Sequence, residues 1–229
     1  MIILWLLIIP LITAIACVLT GKHSVSKYIS IVGSFLALLY NTFLNYNIYL
    51  HSSIAGLNDF FYMDSLSVLT TQIVTIVGFA SSLYSAGYMA AELHEGVVTQ
   101  KKLRLYYFLF HMFIFTMLAV CVTNNLGIMW VAIEGTTLST TFLVGFYNKR
   151  LHQEAAWKYI IICTVGITLA LFGVILTYHS SKGVFGEIGH TLNWTGLLTV
   201  ADRFEPHLIK LAFLFILIGY GTKAGLAPM

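Results

Sequence analysis

Charge is what this chain has least of. Asp, Glu, Lys and Arg together make up 9% of its 229 residues, whereas soluble domains carry about 25%. So little charge excludes a soluble globular domain. With 59% hydrophobic residues and a mean hydropathy of +0.87, the chain reads as a polytopic membrane protein whose first partner is the lipid bilayer. The net charge is only +3 and the basic residues are scattered among short loops, so no nucleic-acid partner is indicated. Cysteine is also scarce: Cys17, Cys121 and Cys163 each lie in an apolar run with no paired spacing. A disulfide framework, a zinc site or an iron–sulfur ligand set cannot be built from them. Gly-rich nucleotide motifs are missing too. No cofactor and no catalytic centre are therefore expected in this chain, and no metal site.

Long apolar runs are what the chain has instead. The first covers residues 1–20. No Lys or Arg precedes its apolar core, and that core exceeds the 7–15 residues usual for a signal peptide, so it is read as a retained helix. Six more spans are expected at residues 28–50, 64–89, 105–122, 126–147, 155–179 and 208–228. Asp64 suits the N-terminal cap of the third. Residues 51–64 form a loop with two Asp and no Lys or Arg, and within the longer segment 180–207 the stretch TLNWTGLLTV reads as an interfacial patch. The first, third and fifth loops, with their helix edges, hold Lys22, Lys27, Lys101, Lys102, Arg104, Lys149, Arg150 and Lys158. The even-numbered ones hold only Lys182, Arg203 and Lys210, a bias of eight to three. The positive-inside rule then places the N-terminus outside and the C-terminus in the cytoplasm of a cell membrane.

One run holds a carboxylate at its middle. Residues 126–147 number 22, about 33 Å of helix, and their only Asp, Glu, Lys, Arg or His is Glu134. A charge at that depth costs roughly 2.5–3.5 kcal/mol even on lenient insertion scales, so such residues face a bundle interior or a water path. Helical spacing puts Gly127, Trp130, Glu134, Thr137, Thr141 and Gly145 on one stripe, where small and hydroxyl residues admit a neighbouring helix. Two readings stand at this point: a neutral or bonded carboxyl that locks two helices together, and a proton or ion site. Lys223 also has two, a lysine snorkelling to the headgroups and a proton carrier. Gly219, Gly221 and Gly225 around it, with Pro228 five residues on, predict a helix that loosens or breaks there, as membrane helices do where they line a cavity. Glu154 and Lys158 are spaced i, i+4 in the favourable order, as a surface pair would be. His111, in the fourth span, suits either a packing role or a proton relay.

The segments FYMDSLSVL, SLYSAGYM, MWVAIEGTTLSTTFLVGFY, EAAWKYIIICTVGITLAL and GYGTKAGLAPM, in this order and spacing, resemble antiporter-like membrane subunits of the complex I and Mrp superfamily. Within it they look most like component F of group 4 (hydrogenase-4) membrane hydrogenases. The resemblance implies an all-α integral membrane protein with about seven transmembrane helices, part of an antiporter-like fold. It divides the chain into an N-terminal three-helix segment, residues 1–103, and a partial first antiporter-like repeat, residues 104–229. It also implies proton translocation, with Glu134 acting on Lys223 at a broken seventh helix and Lys158 matching a recurrent lysine of the sixth. The expected partners are other membrane subunits of a hydrogenase or complex I-like assembly. Family members have about fourteen spans in two inverted five-helix repeats, so the chain is expected to be a truncated product, a split subunit or a fragment. An Mrp-type cation/proton antiporter subunit and a non-functional remnant are the alternatives.

Overall fold

A polypeptide in lipid must satisfy every backbone N–H and C=O internally, and long helices do so. The computed structural model describes residues 2–20, 23–57, 59–185 and 192–226. Among these residues, seven helices are long and apolar enough to cross a bilayer. They are α1 (Ile2–Leu19), α2 (His23–His51), α3 (Ser65–His94), α4 (Gln100–Val122), α5 (Leu126–Val144), α6 (Arg150–Phe185) and α8 (Pro206–Ala224). The all-α membrane fold with seven spans is thus present. The sixth span starts five residues earlier and ends six later than hydropathy suggests, because its polar ends extend the helix past the apolar core. Lys22 and Pro228 lie outside the described residues.

Polar side chains set the helix starts. Asp64 accepts from the Ser67 backbone N–H at 2.9 Å to begin α3, and that bond holds its carboxyl below the usual carboxylate range. Asn125 caps α5 by accepting from Gly127 N at 3.0 Å and Ile128 N at 3.2 Å. Glu205 caps α8 through His207 N and Leu208 N, with Pro206 at the first helical position.

The fourth helix is the axis of the N-terminal half. Leu103, Tyr107, Leu118 and Val122 on it are fully buried, and it packs against α1, α2, α3 and α5. The α5 helix then packs on α6, and α6 on α8. Close approach in two seams depends on glycine: Thr116 of α4 lies against Gly135, and Ala170 of α6 against Gly219 of α8. Outward faces such as Ile73, Ile76 and Val77 of α3, and Ile161, Ile162 and Val165 of α6, are apolar and exposed, as contact with lipid requires.

Loop 51–64 is more ordered than an expected loop. It forms an antiparallel hairpin of β1 (Ile54–Gly56) and β2 (Phe61–Met63), with Ile54 opposite Met63. Asn124 N–H donates to Phe60 O at 2.8 Å, and Asn124 Nδ2 donates both to Asp59 O and to Thr195 Oγ1 at 2.8 Å. Asn125 Nδ2 donates to Asn193 Oδ1 at 3.1 Å, next to the short α7 (Trp194–Thr199). The hairpin, the α4–α5 link and α7 therefore form one tied layer over the end of the bundle where α5 begins. Asn193 is buried within it.

Candidate functional site

The α5 stripe faces α6 and the tip of α8. Trp130 Nε1 donates to Ile167 O at 2.8 Å, Thr164 Oγ1 lies 3.5 Å from Glu134 Oε1, and Gly145 meets Ala156. Between these, the Lys223 ammonium of α8 donates to Thr137 Oγ1. Thr137 uses its own proton on Ile133 O at 3.3 Å, which leaves a lone pair for the lysine. The Tyr159 ring of α6 lies 5.8 Å from Lys223 Nζ, and the Tyr159 hydroxyl is 3.0 Å from Thr140 Oγ1. Three helices thus surround one ammonium with hydroxyls and an aromatic face.

Why the ammonium sits there follows from where α8 stops. Gly225 adopts the left-handed conformation, φ 74° and ψ 33°, which a side chain would disfavour, and Leu226 N–H closes back on Gly221 O at 2.9 Å. Lys223 is therefore in the last turn. Its partner Thr137 precedes the end of α5 by seven residues, about 10 Å at about 1.5 Å per residue. The α8 C-terminus thus lies beside the middle of α5, and its partial negative charge favours a cation by about 0.3–1 kcal/mol. Gly225 ends the helix there. Gly219, read from sequence as loosening the helix, instead lets α8 approach α6.

Glu134 is half-buried, one turn along α5 from Thr137, and its Oε2 is buried without a hydrogen-bond partner. It is close enough to interact electrostatically with Lys223. Even so, among the described residues the ion pair within 4.0 Å is a different one, Lys158–Glu154 at 2.6 Å. That pair is on the exposed surface of α6, with side chains 69% and 54% exposed. The structure therefore groups Glu134 with Lys223 and leaves Lys158 on Glu154. His111 belongs to another cluster: it is 1% exposed and its Nε2 lies 2.9 Å from Ser30 Oγ of α2. Thr140, Tyr159 and Thr164 were not singled out from sequence, although polar groups on the apolar run YIIICT were a usable signal. A carboxylate with an unpartnered oxygen, and one turn along the same helix a hydroxyl that accepts from an ammonium, are groups able to hold and pass a proton. Among the described residues no three His, Cys, Asp or Glu gather to hold a metal.

Sequence models agree with this architecture. The model described as NADH:quinone oxidoreductase/Mrp antiporter, transmembrane region, matches residues 123–229, which carry the whole α5–α6–α8 site. A second, described as the N-terminus of complex I chain 5, matches residues 56–96. The chain belongs to the antiporter-like complex I/Mrp superfamily. Among its relatives, a hydrogenase-4 component F homolog of Methylacidiphilum infernorum is 38% identical over 210 residues, 91% of this chain and 43% of that protein. Subunit L of the NADH-quinone oxidoreductase of Pseudomonas aeruginosa is 30% identical over 172 residues, 73% of this chain and 25% of the relative. A chain of an archaeal respiratory complex, the membrane-bound sulfane sulfur reductase, shares the fold with a TM-score of 0.81 at 20% identity, over 99% of this chain and 45% of that one. The superfamily member described here thus spans less than half the length of these proteins.

Proposed function

We propose that this chain is a proton-translocating, non-redox membrane subunit of a hydrogenase-4 or complex I-type oxidoreductase, working beside other membrane subunits. Lys223 is the proton carrier and Glu134 sets how firmly it holds its proton. The observation that carries this reading is a lysine in the last turn of α8, bonded to Thr137 of α5 one turn from an unpartnered glutamate oxygen. A nearby negative charge stabilises an ammonium, and moving the charge away releases its proton. Energy for that movement comes from redox chemistry in partner subunits. Residues 1–103 form the supporting segment, residues 104–229 belong to the first antiporter-like repeat, and the charge bias places the C-terminus in the cytoplasm. The second reading, an Mrp-type cation/proton antiporter subunit, is favoured by the Mrp part of the matching family description.

Substitution at the two residues tests the proposal. Glu134→Gln keeps shape and hydrogen bonding but cannot carry a negative charge, and Lys223→Arg keeps a cation that never releases its proton. In vesicles holding the whole complex, both variants are expected to assemble and to lose redox-driven proton uptake. Normal uptake by Lys223→Arg would make Lys223 an anchor and refute the carrier role. Sodium-dependent uptake without an electron donor would favour the antiporter.

A further inference from the structure

The three helices that precede the Glu134–Lys223 site, together with α4, contain a second buried polar set. On α2, Ser26, Ser30 and Ser34 succeed one another at single turns and Asn41 follows, all buried. Facing them on α3 are Thr71, Thr75, Ser82 and Ser85, also buried. These groups form two clusters. In the first, Ser30 Oγ lies 3.1 Å from Ser82 Oγ and 2.9 Å from His111 Nε2. In the second, Asn41 Nδ2 donates to Thr75 Oγ1 at 3.3 Å and to Gln72 Oε1 at 2.9 Å, and Asn45 donates to the same Gln72 oxygen. Asn41 is 0% exposed, yet its Oδ1 has no partner.

A cavity of about 10 Å³ separates the clusters, walled by Ser34, Ala37, Thr75, Gly78, Phe79 and His111, among others. That is about the room one water needs, and such a site must offer it polar partners. Ser34, Thr75 and His111 supply them from three different helices. Helices that only adhere to one another close such gaps and pair their polar groups. This set leaves both a void and an unpaired carbonyl.

We propose that one water molecule occupies this cavity and links His111 to the Thr75–Asn41 cluster, making α2, α3 and α4 a proton path separate from Glu134 and Lys223. A proton arriving at one ring nitrogen of His111 is matched by one leaving from the other. The hydroxyls and the water hand protons on in the same way; each passage leaves His111 in its other tautomer and the O–H groups reversed, and their reorientation resets the file. The path does not depend on the function proposed above.

The test uses the full chain reconstituted in liposomes, with proton entry driven by a potassium diffusion potential and read by an internal pH dye. Gly78→Ala adds one methyl to the cavity wall and meets only the flexible Ile114 side chain, Cδ1 at 3.1 Å and Cγ1 at 3.6 Å, so the fold is kept. Gly87→Ala on the same helix has no neighbour within 4 Å and serves as control. Parent and Gly87→Ala are expected to conduct alike. Gly78→Ala and His111→Phe are expected to fall to the leak of protein-free liposomes. The proposal is overturned if the parent conducts no better than protein-free liposomes, or if Gly78→Ala conducts like the parent. It is equally overturned if His111→Phe conducts like the parent.

Discussion

Replacing Gly219 by alanine should separate two helices that the structure holds in backbone contact. A Cβ at this position would lie 2.6 Å from Ala170 Cβ and 2.7 Å from Gly166 O. Carbon contacts settle at about 3.5–4.0 Å, so α8 must withdraw from α6 by roughly 1 Å. One obstacle is a backbone oxygen, which no rotamer change can move aside. Overpacking of this kind costs about 1–3 kcal/mol. Alanine is also the better helix former, by about 0.5–1 kcal/mol, which would mask part of the loss. Gly87→Ala has the same gain and no clash, so the difference between the two variants isolates the seam. That difference should be about 1–3 kcal/mol, or roughly 5–150-fold in the folding equilibrium. Reversible SDS titration of the purified chain in mixed micelles, followed by circular dichroism, measures it. Equal stability of Gly219→Ala and Gly87→Ala would refute the close α6–α8 seam.

Two further outcomes are expected. Asp64→Ala should cost about 0.5–2 kcal/mol by uncapping α3. Because the folded carboxyl is held below its ordinary value of about 3.9, this stabilisation is present above that pH and disappears as pH falls through the folded value. The gap between parent and variant in the same titration should therefore close in acid, and a gap that persists there would rule out the charged cap. Lys158→Ala should change stability by no more than about 0.5 kcal/mol, as exposed i, i+4 pairs do. Its loss of proton uptake in the whole complex should be smaller than that of Lys223→Arg, and an equal loss would bring Lys158 into the main path.

What sequence revealed depended on how far apart the partners lie along the chain. The α5 stripe was legible because helical period alone fixes which residues share a face, and Trp130, Glu134, Thr137 and Gly145 all have neighbours on α6 or α8. Asp64 was legible as a cap because its partner is three residues away. The His111–Ser30 contact joins residues 81 positions apart, and Asn125–Asn193 joins residues 68 apart. No local pattern marks such pairs, so the N-terminal cluster and the tied end layer stayed hidden. The hairpin was missed because three-residue strands are too short for alternation to show. For Gly219 and Gly225 the sequence showed glycine without its reason: one serves packing, the other a left-handed turn.

The two glycine seams also decide which parts of the molecule can travel together. Thr116 against Gly135 joins α5 to α4, and Ala170 against Gly219 joins α8 to α6. Interlocked helices resist sliding, so each pair would move as one plate. The boundary between the plates is held by Trp130 to Ile167, Thr140 to Tyr159 and Lys223 to Thr137, beside the contact of Gly145 with Ala156. Hydrogen bonds of that kind can be exchanged one at a time, and a shear of a single turn would offer Lys223 a new acceptor. Glu134 rides on one plate while Lys223 and Tyr159 ride on the other. Sliding one plate against the other would thus change the distance between carboxylate and ammonium without unpacking either pair of helices.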